Sequence, residues 1–179
     1  MAKVPLKVVP SDSSGLLDAQ LSSLKKLSVF QGVTIETISV LARAGEDRLI
    51  AKGEFIFKEN ELGSTLVFFY QGLSVESKRF GEADCVLAYY SEPSILGESS
   101  FMDSCPRSTS LYANEDSRVL EIHNEELRKL ASESPGQFEK LYTNLGRELG
   151  KKVSYINLKM AQADRNSFGR ESGISWYRY

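Results

Sequence analysis

A single histidine and two cysteines are all that this 179-residue chain offers of those two residue types, and each scarcity removes a class of function. Metal sites for oxygen or hydrolytic chemistry need two or three clustered histidine or carboxylate ligands. A Ser-His or Cys-His nucleophile pair would have to use His123, and no Gly-x-Ser-x-Gly context surrounds any serine. His123 closes the apolar alternation Val119, Leu120, Ile122 and reads as a strand-end residue. The expectation is a protein without enzymatic activity and without a metal or other cofactor. Cys85 and Cys105 have no CxxC spacing and read as free thiols. No apolar run approaches the about 20 residues of a membrane span. The opening MAKVPLKVVP lacks the apolar core and cleavage site of a secretory signal, so a cytoplasmic location is expected. Nor is there an excess of positive charge: 22 Lys and Arg face 24 Asp and Glu, for a net charge of -2. That balance gives no electrostatic reason to expect a nucleic-acid partner.

What the chain does have is a β-rich middle between helical ends. Residues 1–20, with Pro5, Pro10 and the run Ser11 to Gly15, read as a loose arm. Leu24, Leu27 and Phe30 then share a helical face. Thr34 is placed to N-cap a helix with the apolar face Ile35, Ile38, Leu41 and Ala42. Short aromatic and β-branched segments follow: Arg48–Ala51, Phe55–Phe57, Leu66–Tyr70, Leu73–Lys78, Cys85–Tyr90, Thr109–Ala113 and Arg118–Ile122. Turn residues punctuate them, as in a sandwich or barrel. Asn124 is expected to N-cap a short helix over Glu125–Ala131, and Pro135 to open a longer one. On that helix Phe138, Leu141, Tyr142, Leu145, Leu149, Val153, Ile156 and Met160 recur at spacings of three, four and seven.

One stretch breaks the strand pattern. Leu96 to Ser110 reads LGESSFMDSCPRSTS: glycine and small residues, one apolar turn, then Pro106-Arg107. Gly97, Ser99 and Ser100 let backbone N–H groups approach an anion at a helix start. Arg107 offers a planar fork that matches phosphate oxygens. Glu98 would repel a phosphate alone, but suits a ligand that also carries a hydroxyl to donate. The plainer alternative is a structural Glu98–Arg107 ion pair in a loop.

This stretch resembles the phosphate-binding cassette of cyclic-nucleotide-binding domains, the family of the catabolite activator protein and the regulatory subunits of cAMP-dependent kinase. The matching elements are Gly97-Glu98, small Ser100, apolar Phe101 and Met102, and Pro106-Arg107 followed by small Ser108 and Thr109. The resemblance extends to Leu27–Gly32, to Gly53-Glu54-Phe55-Ile56-Phe57, to LVFFYQG at Leu66–Gly72, and to Arg118–Ile122. It implies a mainly β fold with flanking helices: a double-stranded β-helix (jelly-roll) barrel followed by a long C-terminal helix. It also implies a ligand, cAMP or else cGMP. Arg107 would pair with the cyclic phosphate, and Glu98 would accept from the ribose 2′-OH with help from the Gly97 backbone. Ser99, Ser100 and Ser108 complete the implied contacts, the last two towards the phosphate.

Departures from the family pattern are visible. Glu92-Pro93-Ser94 stands where a Pro-Gly-Asp turn is usual, Asp103 adds a charge expected to face solvent, and Lys152-Val153 falls where the activator has a base-capping Thr-Ser pair. The domain is therefore expected over residues 21–160, with a tail over residues 161–179. The apolar seam over residues 135–160 implies a homodimer; its alternative is packing on the chain's own barrel. The aromatic end, Trp176, Tyr177 and Tyr179, suits a protein partner, the chain's own apolar surface or a disordered end equally. No recognition helix is legible after Met160, so no DNA contact is expected. The expected function is a cyclic-nucleotide-binding regulatory module that signals through protein contacts. Its alternative is a nucleotide-independent interaction scaffold on the same barrel.

Overall fold

A computed structural model describes residues 20–91 and 93–167. Of the arm expected over residues 1–20, all but Gln20 falls outside the described residues, as does the aromatic tail; Gln20 is helical and buried, so the helical layer starts within the expected arm. Among the described residues, eight strands make two four-stranded antiparallel sheets. One sheet has the order β1 (Glu46–Ile50), β8 (Ser117–His123), β3 (Thr65–Gln71), β6 (Ser94–Leu96). The other runs β2 (Phe55–Phe57), β7 (Ser110–Ala113), β4 (Leu73–Phe80), β5 (Ala83–Ser91). The fold is the jelly-roll that the sequence predicted, with helices packed on one side.

The alternation on β3 explains the architecture. Val67 and Phe69 point into the barrel, where they meet Ile56, Leu111 and Ala113 from the other sheet. Leu66, Phe68 and Tyr70 point outward into a second apolar cluster built with the helices. Both faces of the strand are buried, so its sequence is continuously apolar rather than alternating.

Helix α1 (Ile35–Ala44) begins as expected: the Thr34 side chain accepts from the Thr37 N–H. Ile38, Leu41 and Ala42 bury against the sheet, but Ile35, expected on the same face, stays 37% exposed. Its place in the first turn puts it beyond the reach of the core. A second correction concerns the helix over the barrel's far end, α3 (Asn124–Glu133, with α2 described below). His123, not Asn124, occupies its N-cap, and no side chain caps it. Asn124 donates its backbone N–H to Ser64 O instead (3.0 Å), as the continuation of the β3–β8 pairing.

The last helix, α4 (Pro135–Ser167), runs past Met160, so part of the expected tail is helical. Leu141 and Leu145 are fully buried in the helix-side cluster. Asn144 Nδ2 donates to the carbonyls of Val29 (3.0 Å) and Gln31 (2.9 Å), which fixes the helix to the short turn at Ser28–Phe30. The seam then divides. Its first half packs on the chain's own domain, whereas Val153, Ile156 and Met160 are more than half exposed.

Candidate functional site

The cassette starts where β6 ends. This three-residue strand is not visible in the sequence, because Leu96 falls in the stretch that breaks the strand pattern. Gly97 adopts a left-handed backbone (φ 77°) and turns the chain into α2 (Glu98–Asp103). Phe101, 5% exposed, anchors that turn in the helix-side cluster. Ser104, also left-handed, ends it and returns the chain to Pro106. The returning segment is stitched to the loop after β2. Arg107 N–H donates to Glu61 O (2.7 Å), and Asn60 N–H donates to Arg107 O (2.9 Å).

These hydrogen bonds deliver the Arg107 side chain to the cavity floor. It is 4% exposed and makes three further contacts there. Nη1 donates to Gly97 O (2.8 Å), and Nη2 to both the carbonyl and hydroxyl of Thr65 (2.8 and 2.9 Å). The guanidinium lies 4.4 Å over the Phe57 ring. Burial lowers its pKa, against the opposing influence of Glu121, Glu61 and Glu98. No ion pair among the described residues involves it. A buried cation held only by neutral groups is a site prepared for an anion.

Glu98 is equally buried, at 2% exposure. It does not pair with Arg107, so the loop ion pair that was the plainer reading does not form. Its partner is Lys152, reaching across from α4 to Oε1. The contact is a charge pair, and no well-aligned hydrogen bond accompanies it. Lys152 Nζ also donates to Ile95 O (3.3 Å) and sits 5.4 Å from the Tyr90 ring. A second carboxylate, Glu76, accepts from Tyr90 OH and Thr109 Oγ1, each at 2.7 Å. Burial, reinforced by Glu76, raises the Tyr90 pKa, so the phenol remains a donor.

All six residues singled out in the sequence, Gly97, Glu98, Ser99, Ser100, Arg107 and Ser108, line one cavity of about 580 Å³. Ser100 is buried, while Ser99 and Ser108 are exposed at the rim, as is Asp103 outside it. Val153, Ile156 and Met160 of α4 form the opposite wall. Sequence reasoning missed Thr65, Glu76 and Tyr90, which are distant along the chain and carry no motif. It marked Lys152 only as a departure, without its partner.

The approach of Gly97 to Arg107 yields a stability prediction. A Cβ built on Gly97 overlaps Arg107 Nη1 and comes within 3.0 Å of Cζ, in a backbone region that alanine disfavours. Gly97→Ala is expected to cost about 1–3 kcal/mol, read as a lower urea midpoint with an unchanged slope. An unchanged midpoint would show that the guanidinium can move aside freely.

The model of the cyclic nucleotide-binding domain matches residues 47–134, which include the whole cassette. The match covers 88 of the 179 residues. The Cyclic AMP receptor protein of Thermus thermophilus is 26% identical over 144 residues, covering 80% of this chain and 67% of that protein. The crystal structure of the Thermus thermophilus catabolite activator protein superposes with a TM-score of 0.67 at 24% identity. That match covers 77% of this chain and 63% of the other, so the chain spans about two thirds of these relatives. The Toxoplasma gondii PKA regulatory domain, solved with cAMP, gives 0.60 at 21% identity, covering 74% of this chain and 50% of that one. Both structural likenesses establish the fold and nothing finer. No helix among its described residues is long and apolar enough to cross a membrane.

Proposed function

We propose that this domain is a cytoplasmic regulatory module that binds a cyclic nucleotide, cAMP before cGMP, and signals through contacts with another protein. The observation that carries the proposal is Arg107: a buried guanidinium without an anionic partner among the described residues, at the floor of a cavity of ordinary ligand size. In this reading the cyclic phosphate takes the place of the missing anion. The Ser100 backbone and Ser108 supply further donors, and Ser99 stands at the rim. Glu98, one α-helical residue beyond Gly97, accepts from the ribose 2′-OH. The base lies against α4, where Val153 and Ile156 give it an apolar wall. The cAMP preference takes its support from the named ligands of the relatives, not from the pocket. Binding is the whole activity; no bond is made or broken. Saturable heat on titration with cAMP or cGMP, lost in Arg107→Ala, tests the assignment.

The second half of α4 suits a homodimer. Val153, Ile156 and Met160 are 55%, 53% and 62% exposed on a helix whose first half is already packed. A copy related by a two-fold axis would bury this stripe along its length. Ile156→Glu is expected to shift the chain from dimer to monomer in sedimentation equilibrium. A wild type that sediments as a monomer would remove the dimer.

One observation favours the alternative, a scaffold that needs no nucleotide: Lys152 already offsets the charge of Glu98. The scaffold predicts that Arg107→Ala leaves partner recruitment unchanged and that nucleotide has no effect on melting.

A further inference from the structure

We propose that Lys152 sets how strongly this pocket distinguishes a ribose from a deoxyribose, because it holds the carboxylate that the sugar hydroxyl would use. The inference rests on the reading of the cavity as a nucleotide site and adds a residue to it.

Glu98 is a carboxylate with 2% exposure, and an ionised carboxylate can only accept. Left without a cation at this depth it would be costly, and among the described residues Lys152 is the cation within ion-pair distance. The lysine does not belong to the cassette. It comes from α4 and places Nζ by Ile95 O (3.3 Å) and above the Tyr90 ring (5.4 Å). The charge of Glu98 is therefore offset before any ligand arrives.

This changes what a sugar hydroxyl is worth. With Lys152 in place, a hydroxyl must either displace the ammonium or share a carboxylate whose charge is already offset. Its hydrogen bond then contributes little net affinity. A ligand without the hydroxyl leaves no uncompensated charge, since the ion pair persists. Without Lys152 the situation reverses. The hydroxyl becomes the donor available to a buried acceptor, and a deoxyribose leaves that acceptor stranded. Lys152 and the 2′-OH thus compete for one group, and their contributions are antagonistic. The cation also ties α4 to the cassette, so a hydroxyl that displaces it releases that tie.

The test is calorimetry of cAMP and 2′-deoxy-cAMP against wild type, Lys152→Met and Lys152→Arg. Methionine keeps most of the apolar stem and removes the charge, while arginine retains the pair. Wild type and Lys152→Arg are expected to bind the two nucleotides within about threefold of each other. In Lys152→Met the preference for the ribose form should widen by about tenfold or more. Lys152→Gln, polar and uncharged, predicts the same direction and serves if the methionine variant melts early. Equal preference in wild type and the neutral variants overturns the role of Lys152 and leaves the nucleotide reading intact. Equal weakening of both nucleotides also overturns it, by making Lys152 an ordinary ligand contact. Absence of binding to every protein removes both readings together.

Discussion

Arg107→Ala is expected to weaken cyclic-nucleotide binding by about a hundred- to a thousandfold. Truncating one member of a buried, hydrogen-bonded charge pair costs about 2–5 kcal/mol, and each tenfold in affinity corresponds to about 1.4 kcal/mol. The upper part of that range applies because the guanidinium is held in advance. Its contacts to Gly97 and Thr65 and the Phe57 ring beneath it fix the fork before a phosphate enters. Little ordering remains to be done on binding. Arg107→Lys separates charge from shape: it keeps the cation, loses the fork, and should fall between wild type and alanine. Calorimetry measures all three. A loss of less than fivefold in Arg107→Ala would show that phosphate is not held at this residue.

Phe68→Ala should have the largest effect on stability, about 3–5 kcal/mol. Phe68 is 1% exposed and stacks on Phe30, with ring centroids 5.3 Å apart. It joins β3 to the helical layer, so the cavity left behind opens between two layers that cannot both relax towards it. A domain of this kind is stabilised by about 5–15 kcal/mol in total, and the substitution would remove much of that. Phe68 is not among the residues lining the ligand cavity. The folded fraction of the variant should therefore bind nucleotide with unchanged affinity, while its urea midpoint falls sharply. A cost below about 1 kcal/mol would mean that the helical layer contributes little to the domain.

The parts of this fold that were legible in the sequence are those written in local pattern. Thr34 and its helix, the hairpin punctuation and the buried strand LVFFY all follow from residues a few positions apart. The cassette was legible for the same reason, since its glycine, glutamate and arginine fall within one short segment. What the sequence concealed depends on distant residues. Thr65 lies 42 positions from Arg107, and only the pairing of β3 with β6 and β8 brings it beneath the guanidinium. Lys152 is 57 positions from Ile95, and its reach into the site depends on Asn144 holding α4 at the Ser28–Phe30 turn. Strand β6, at three residues between a proline and a glycine, is too short to show a period. Asn124 misled because its composition suits a cap, while the strand pairing it extends claims its backbone instead.

The pocket accordingly contains two charges with different histories. Arg107 waits, hydrogen-bonded only to neutral groups. Glu98 is already engaged by a lysine from the helix that would cover the ligand. An anion that also carries a hydroxyl is the ligand class that answers both, and a cyclic nucleotide is such a molecule. The most direct test is a calorimetric titration of the wild-type chain with cAMP and, separately, with cGMP. Saturable binding of one nucleotide per chain is expected, with cAMP the tighter. No saturable heat with either nucleotide, and no rise in melting temperature when each is present in excess, would contradict it.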